Sequence, residues 1–166
     1  MLAPPGAGKG TQGKRIAAEL GIEHISSGSL LRAAVAADTP LGRAVAEHLA
    51  AGTLAPDTLV TQAVAPVLSE RDGYVLDGFP RTVAQAEAVD FDMVIYLDVP
   101  DEVLIERMLA RGRADDCEEV IAARLQEYAR DTEPLIDHYR EAGVLVAVDG
   151  HRAVDEVTED LLRLLR

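Results

Sequence analysis

Residues 4–12 read Pro-Pro-Gly-Ala-Gly-Lys-Gly-Thr-Gln, nearly at the start of the chain. Gly6, Gly8 and Gly10 let successive backbone N–H groups turn toward one point without a Cβ clash. A helical pattern follows at once, so orphan N–H groups and the positive end of a helix dipole face that same point. Lys9 adds a mobile cation and Thr11 a hydroxyl. These features together make a phosphate-binding loop over Gly6, Ala7, Gly8, Lys9, Gly10 and Thr11. The general pattern G-x-x-x-x-G-K-[ST] is met at Gly8 and Lys9. Ala3 stands at its first glycine, and Gly10-Thr11 replaces its single hydroxyl residue. A Gly/Pro-rich turn that binds nothing has no need of a lysine, a hydroxyl and a helix together.

Strand and helix signals alternate along the chain. Short strands are expected at 23–26 and 74–77, and apolar runs at 93–98 and 144–149 each end in aspartate. Such runs suggest buried parallel strands. Helical patterns cover 10–20, 41–51, 58–69, 103–111, 120–130 and 154–165. Gly21, Gly52 and Gly112 stand where a glycine would end three of these helices. Pro56-Asp57 and Pro100-Asp101 look like helix starts. The alternation predicts an α/β fold: a doubly wound parallel sheet of the P-loop NTPase type, flanked by helices. Ligands of such sheets bind outside the carboxyl ends of the strands. A phosphate loop should follow a central strand, yet only Met1-Leu2-Ala3 precedes it. The first strand therefore reads as truncated, and a native start upstream is the expectation.

The 166 residues suit one domain, and a 48% hydrophobic content argues against disorder. The net charge of −13 disfavours nucleic acid and anionic membranes as partners. A phosphate substrate must then be attracted by a local cluster of arginines. Cys117 is the single cysteine, so neither an internal disulfide nor a cysteine-based zinc site can form. His24, His48, His138 and His151 show no metal-ligand spacing. No stretch is long and apolar enough for a membrane span, and the N-terminus carries no secretion signal. A cytoplasmic enzyme is the expectation.

Further motifs narrow the reading. Asp77-Gly78-Phe79-Pro80-Arg81 follows an apolar strand, where Asp77 can hold a hydrated Mg²⁺ and Arg81 can reach phosphate oxygens. Arg107 and Arg111 are four apart on one helical pattern and share a face, with Arg113 and Arg124 beyond. Arginines on a soluble helix are usually just solvated. Here Lys9 and Lys14 are the only lysines, so arginine supplies most of the positive charge.

The string Pro-Gly-Ala-Gly-Lys-Gly-Thr-Gln resembles the opening of the adenylate kinases, within the nucleoside monophosphate kinase family. The Asp-Gly-Phe-Pro-Arg block and the spacing of the arginines resemble the same family, and the likeness covers nearly the whole chain. Ser26-Ser27-Gly28-Ser29-Leu30-Leu31-Arg32 resembles its monophosphate-binding Ser-Thr-Gly-Asp-x-x-Arg. Ser29 departs from that pattern, because the family places there an acidic residue that assists the metal's water shell. Ser27 also stands where a helix N-cap would.

The resemblance implies transfer of the γ-phosphoryl of MgATP to AMP, reversibly, giving two ADP. It implies one P-loop kinase domain over 1–166, acting as a monomer, with 27–57 as monophosphate-binding segment and 110–119 as a short lid. That lid leaves no room for the zinc ribbon of long-lid members. ATP would be held by Gly6, Ala7, Gly8, Lys9, Gly10, Thr11 and Arg107. AMP would be held by Ser27, Arg32, Leu54, Ala55, Gly78, Arg81, Gln85, Arg113 and Arg124. Gln85 would read the AMP adenine, since a side-chain amide donates and accepts at once. Lys9, Arg81, Arg111, Arg113 and Arg124 would act on the transferring group, with Mg²⁺ held by Asp77 through water. Two other readings remain open: a UMP/CMP kinase, against which Ser27 and Gln85 argue, and a weakly active nucleotide-binding protein.

Overall fold

The structure, a computed structural model, describes residues 1–113 and 116–166. Helix α1 (Lys9–Leu20) starts directly from Gly8 and ends at Gly21 in the left-handed conformation. Strand β1 (Glu23–Ser26) feeds helix α2 (Ser27–Ala36). Helices α3 (Pro40–Ala51) and α4 (Asp57–Leu68) follow, then strand β2 (Tyr74–Asp77) and the one-turn helix α5 (Val83–Ala86). Strand β3 (Val94–Asp98) leads to α6 (Asp101–Arg111) and α7 (Glu118–Glu127). A π-helical turn, Tyr128–Thr132, joins α7 to α8 (Pro134–Glu141). Strand β4 (Leu145–Asp149) and helix α9 (Val154–Leu164) close the order.

The helix ends follow local chemistry. Thr39 caps α3 by accepting from the Gly42 N–H at 3.0 Å, and Pro40 fills the first turn, where its missing N–H costs nothing. Gly52 and Gly112 end α3 and α6 in the left-handed conformation, as the sequence suggests. Asp101 and Glu102 open α6 and Arg111 closes it, each sign matching its end of the dipole. The pattern at 120–130 does not run as one α-helix. It changes at Tyr128 into the π-helical turn, a form frequent at functional sites.

Strands β1 and β2 pair in parallel from Glu23–Tyr74 to Ser26–Asp77. Strands β3 and β4 pair in parallel from Val94–Leu145 to Asp98–Asp149. Met1 and Leu2 lie between the two pairs. The Met1 amine donates to the Leu76 carbonyl at 2.5 Å, on β2. On β3, the Leu2 N–H donates to the Ile95 carbonyl at 2.7 Å, and the Leu2 carbonyl accepts from the Leu97 N–H at 3.0 Å. Leu2 and Tyr96 form a single parallel bridge.

Buried side chains gather on both sides of this arrangement. Ile16, Leu97, Leu104, Met108, Val157 and Leu161 join α1, α6 and α9 to the strands. A second cluster, around Val45, Val64, Leu76 and Phe79, holds α2, α3 and α4 against β1 and β2. A third joins Leu2, Val94, Leu135 and Tyr139. The second cluster packs the 27–57 segment on its own apolar contacts, beside the carboxyl ends of β1 and β2.

Candidate active site

The phosphate loop presses on α6. Gly6 has φ 87°, and a Cβ there would stand 2.8 Å from the Leu104 carbonyl oxygen, so only glycine fits. The Gly8 carbonyl accepts from the N–H groups of Thr11 and Gln12, both at 3.0 Å, and so begins α1. The Lys9 ammonium folds back over the loop, donating to the carbonyls of Ala3 at 2.6 Å and Pro4 at 2.9 Å. Burial of the ammonium pushes its pKa down to about 7, and Arg81 nearby pushes the same way.

Register brings the strand ends into contact. Ser26 pairs with Asp77 across β1 and β2, and its hydroxyl donates to Asp77 Oδ1 at 3.1 Å. The His24 ring reaches Asp77 Oδ2 from Nε2 at 2.6 Å. Gly13 of α1 makes room for that ring, since a Cβ there would stand 2.7 Å from it. Gly10 lies over the same carboxylate, where a Cβ would be 3.8 Å from Oδ2. Asp77 thus faces the phosphate loop with hard oxygen donors, and these suit a Mg²⁺ held through its water shell.

On the far side, Ser26 rather than Ser27 caps α2, accepting from the Ser29 N–H at 3.4 Å. Ser27 takes the first helical position, and its hydroxyl faces Gly78, where a Cβ would stand 2.5 Å away. Arg32 is exposed and donates to the Ser29 hydroxyl at 3.4 Å. The Phe79–Pro80 peptide bond is cis. Arg81 lies just before α5, with its Nε donating to the Gly78 carbonyl at 3.0 Å. Its own carbonyl accepts from Thr132 Oγ1 at 2.8 Å, a contact delivered by the π-helical turn. Burial and neighbouring Arg124 and Arg32 lower the Arg81 pKa, while Asp77 and Glu127 oppose them. Gln85 is 3% exposed, and both ends of its amide are engaged, one by the Arg81 N–H and the other by Asp57.

The remaining arginines come from α6 and α7. Arg107 donates to the Gly150 carbonyl at 3.2 Å and the Ala7 carbonyl at 3.5 Å, beside the loop. Arg111 and Arg124 both bind the Asp116 carboxylate, which also accepts from the Arg113 N–H at 3.0 Å. Residues 114 and 115 of the expected 110–119 lid lie outside the described residues.

One cavity of about 840 Å³ collects these groups. Gly6 to Thr11 and Arg107 line it, together with Ser27, Arg32, Leu54, Ala55 and Gln85. Asp77, Gly78, Arg81, Arg111, Arg113 and Arg124 also line it. Among the described residues, no group of three or more His, Cys, Asp or Glu side chains is placed to hold a metal ion directly, and no helix is long and apolar enough to cross a membrane.

Sequence reasoning did not single out His24, Asp116 or Thr132 as parts of this site. It treated Asp57 only as a helix start and the end of the 27–57 segment. Each meets its partner through tertiary structure, except Asp116, whose nearness to Arg111 was readable from the sequence.

The sequence model of the family described as adenylate kinase matches residues 1–144. A protein of Nocardia farcinica named adenylate kinase is 46% identical over 177 residues, covering 99% of this chain and 97% of that protein. One of Nitrobacter winogradskyi with the same name is 46% identical over 188 residues, covering 100% and 91%. One of a Synechococcus strain is also 46% identical, covering 96% and 93%. At this likeness over nearly the full length of both chains, this protein belongs to the adenylate kinase family.

Proposed function

We propose that this chain is a short-lid adenylate kinase that transfers the γ-phosphoryl of MgATP to AMP, reversibly, giving two ADP. The observation that carries the reading is one cavity lined by the 6–11 loop, by Gln85 and Ser27, and by the arginines. ATP occupies the loop end, with Arg107 beside it. AMP occupies the end built by 27–57 and α5, its phosphate met by Arg32 and Arg81.

The acceptor is a phosphate monoester, already anionic at neutral pH, so it needs no strong general base. The obstacles are repulsion between two polyanions and the charge spread over the transferring group. Lys9, Arg81, Arg111, Arg113 and Arg124 answer both with positioned cations. Mg²⁺ arriving with ATP supplies further neutralisation of phosphate charge, and Asp77 is the residue that would hold its water shell. Closure of 27–57 and of the lid keeps water from the donor phosphate.

The sheet is read as doubly wound, with Met1–Ala3 as the strand between β2 and β3. The chain is read as one domain, monomeric and cytoplasmic. The test is turnover of the purified protein with ATP and each of AMP, CMP and UMP. AMP is expected to lead in kcat/KM by well over tenfold, because unpaired buried polar groups are costly. Equal use of CMP moves the protein to the pyrimidine kinases, and no ADP formation removes the enzymatic reading.

A further inference from the structure

We propose that Asp57 fixes the orientation of the Gln85 amide and so makes the acceptor site select a 6-aminopurine over a 6-oxopurine. The proposal rests on the reading that Gln85 meets the acceptor base.

Gln85 Oε1 accepts from the Arg81 backbone N–H at 2.8 Å. Gln85 Nε2 donates to Asp57 Oδ1 at 2.7 Å. Neither partner can exchange roles, since a backbone N–H only donates and an ionised carboxylate only accepts. Turning the amide over would set its NH₂ against an N–H and its oxygen against a carboxylate. Both contacts would change from attractive to repulsive in a site where Gln85 is 3% exposed. The amide therefore has one orientation, dictated by its partners.

Asp57 is itself held. Its Oδ2 accepts from Thr82 Oγ1 at 3.0 Å, and that hydroxyl accepts from the Gln85 N–H at 3.2 Å as the cap of α5. The carboxylate sits in the first turn of α4, where the helix dipole favours a negative charge. Asp57, Thr82 and Gln85 thus form a closed ring that joins α4 to α5.

A glutamine amide has two N–H donors and two acceptor lone pairs. The ring and the Arg81 N–H take one of each. One N–H and one lone pair remain to meet a base. A 6-aminopurine matches them: its N6–H donates to Oε1, and its N1 accepts from Nε2. A 6-oxopurine presents the reverse, with O6 facing Oε1 and N1–H facing Nε2. A glutamine at liberty would turn over and bind it equally well. Asp57 and the Arg81 N–H together remove that freedom. Asp57 touches no reacting atom and acts as a positioning residue for base choice.

The test compares kcat/KM for AMP and for inosine 5′-monophosphate, which differ only at the 6-position and N1. Asp57→Asn keeps the shape, but an Asn amide can offer either its oxygen or its NH₂ to Gln85. The AMP-to-inosinate ratio should fall by about tenfold or more in this variant, with the inosinate value itself rising. A purely structural role for Asp57 lowers both values together and leaves the ratio unmoved, which overturns the proposal. Gln85→Leu separates the two levels. If it collapses the ratio while Asp57→Asn does not, Gln85 reads the base without help from Asp57. If it leaves the ratio intact, Gln85 does not read the base, and both readings fall. Hydrogen exchange of the Gln85 side-chain amide in the free wild-type protein needs no variant. Slow exchange of one of its two protons is expected, and exchange as fast as a solvated glutamine overturns the lock even if Asp57→Asn does not fold.

Discussion

Arg111 is clasped by Asp116 through two parallel hydrogen bonds, Nη2 to Oδ1 at 2.5 Å and Nε to Oδ2 at 2.8 Å. Arg124 Nη1 shares Oδ1 at 3.1 Å, so one carboxylate ties the end of α6 to α7. The Asp116 side chain has no exposed surface. Bidentate geometry of this kind fixes the plane of the guanidinium as well as its position. Asp116→Asn keeps the shape but halves the acceptors, so both arginines lose their common anchor. We expect kcat to fall by about tenfold or more, as when one aimed donor is lost, with the KM for ATP changing less. Hydrogen bonding from Arg111 holds the Asp116 pKa down to about 2. A carboxyl depressed in the folded protein contributes stability above its unfolded pKa and loses it only as pH falls toward the folded value. The ratio of wild-type to variant kcat should therefore stay constant from pH 5 to 8 in steady-state assays. A ratio that collapses toward pH 5 would show that the clasp titrates there.

Lys9 makes a second pH-dependent prediction. With its pKa near 7, the free protein holds Lys9 largely neutral at pH 8. Polyphosphate favours the charged form, so binding of MgATP at pH 8 should take up nearly one proton. Calorimetry in two buffers of different ionisation enthalpy measures this uptake, which should shrink toward pH 6. Lys9→Ala should abolish the uptake and lower turnover by about a hundredfold or more, the effect of removing one transition-state donor. The sign for folding runs the other way. A depressed lysine costs stability fully below about pH 7, and the cost fades as pH rises toward the ordinary lysine value of 10.5. Identical binding enthalpies in both buffers at pH 8 would dispose of the proton uptake.

The turn at Gly6 and Gly8 and the helix that starts from it were legible because both are decided within a few residues. The helix ends at Gly21, Gly52 and Gly112 were legible for the same reason, since the left-handed turn is decided at one residue. His24 and Asp77 are 53 positions apart, and only the register of β1 on β2 makes them neighbours. Asp57 reads as a helix start, which it is. Its bonds to Thr82 and Gln85 cross 25 and 28 positions and leave no trace in local pattern. The cap of α2 was placed one residue late, because Ser26 and Ser27 offer the same hydroxyl and only the backbone decides between them.

Helix α3 crosses α2 at Gly42. A Cβ there would stand 2.0 Å from the Ala34 carbonyl oxygen and 2.3 Å from its carbon. Both are backbone atoms, so neither can turn aside. Gly42→Ala must push α3 off α2 and disturb the packing of Val45, which is fully buried. Overpacking of this kind costs about 3 kcal/mol. In a domain of this size that lowers Tm by roughly 6–12 °C. The KM for AMP should rise more than that for ATP, because the second hydrophobic cluster supports the 27–57 segment. A melt within a degree of wild type would mean that the helices separate without loss.

On the proposed reading, the metal requirement is set at the strand ends. Asp77→Asn keeps the contact with Ser26 but removes the charge that faces Gly10 and the phosphate loop. The Mg²⁺ concentration for half-maximal rate should rise by about tenfold or more, because Mg²⁺ is a hard cation that favours carboxylate oxygen. Ser29 occupies the third position of α2, where an acidic residue suits the helix dipole. Ser29→Asp should therefore raise Tm slightly and lower the Mg²⁺ requirement. The substitution has a second effect. Arg32 already donates to the Ser29 hydroxyl at 3.4 Å, and a carboxylate there would hold its guanidinium more strongly. The KM for AMP should then rise a few-fold. The two readouts separate the roles of position 29: a raised KM for AMP with an unchanged Mg²⁺ requirement would mean that the residue acts on Arg32 alone.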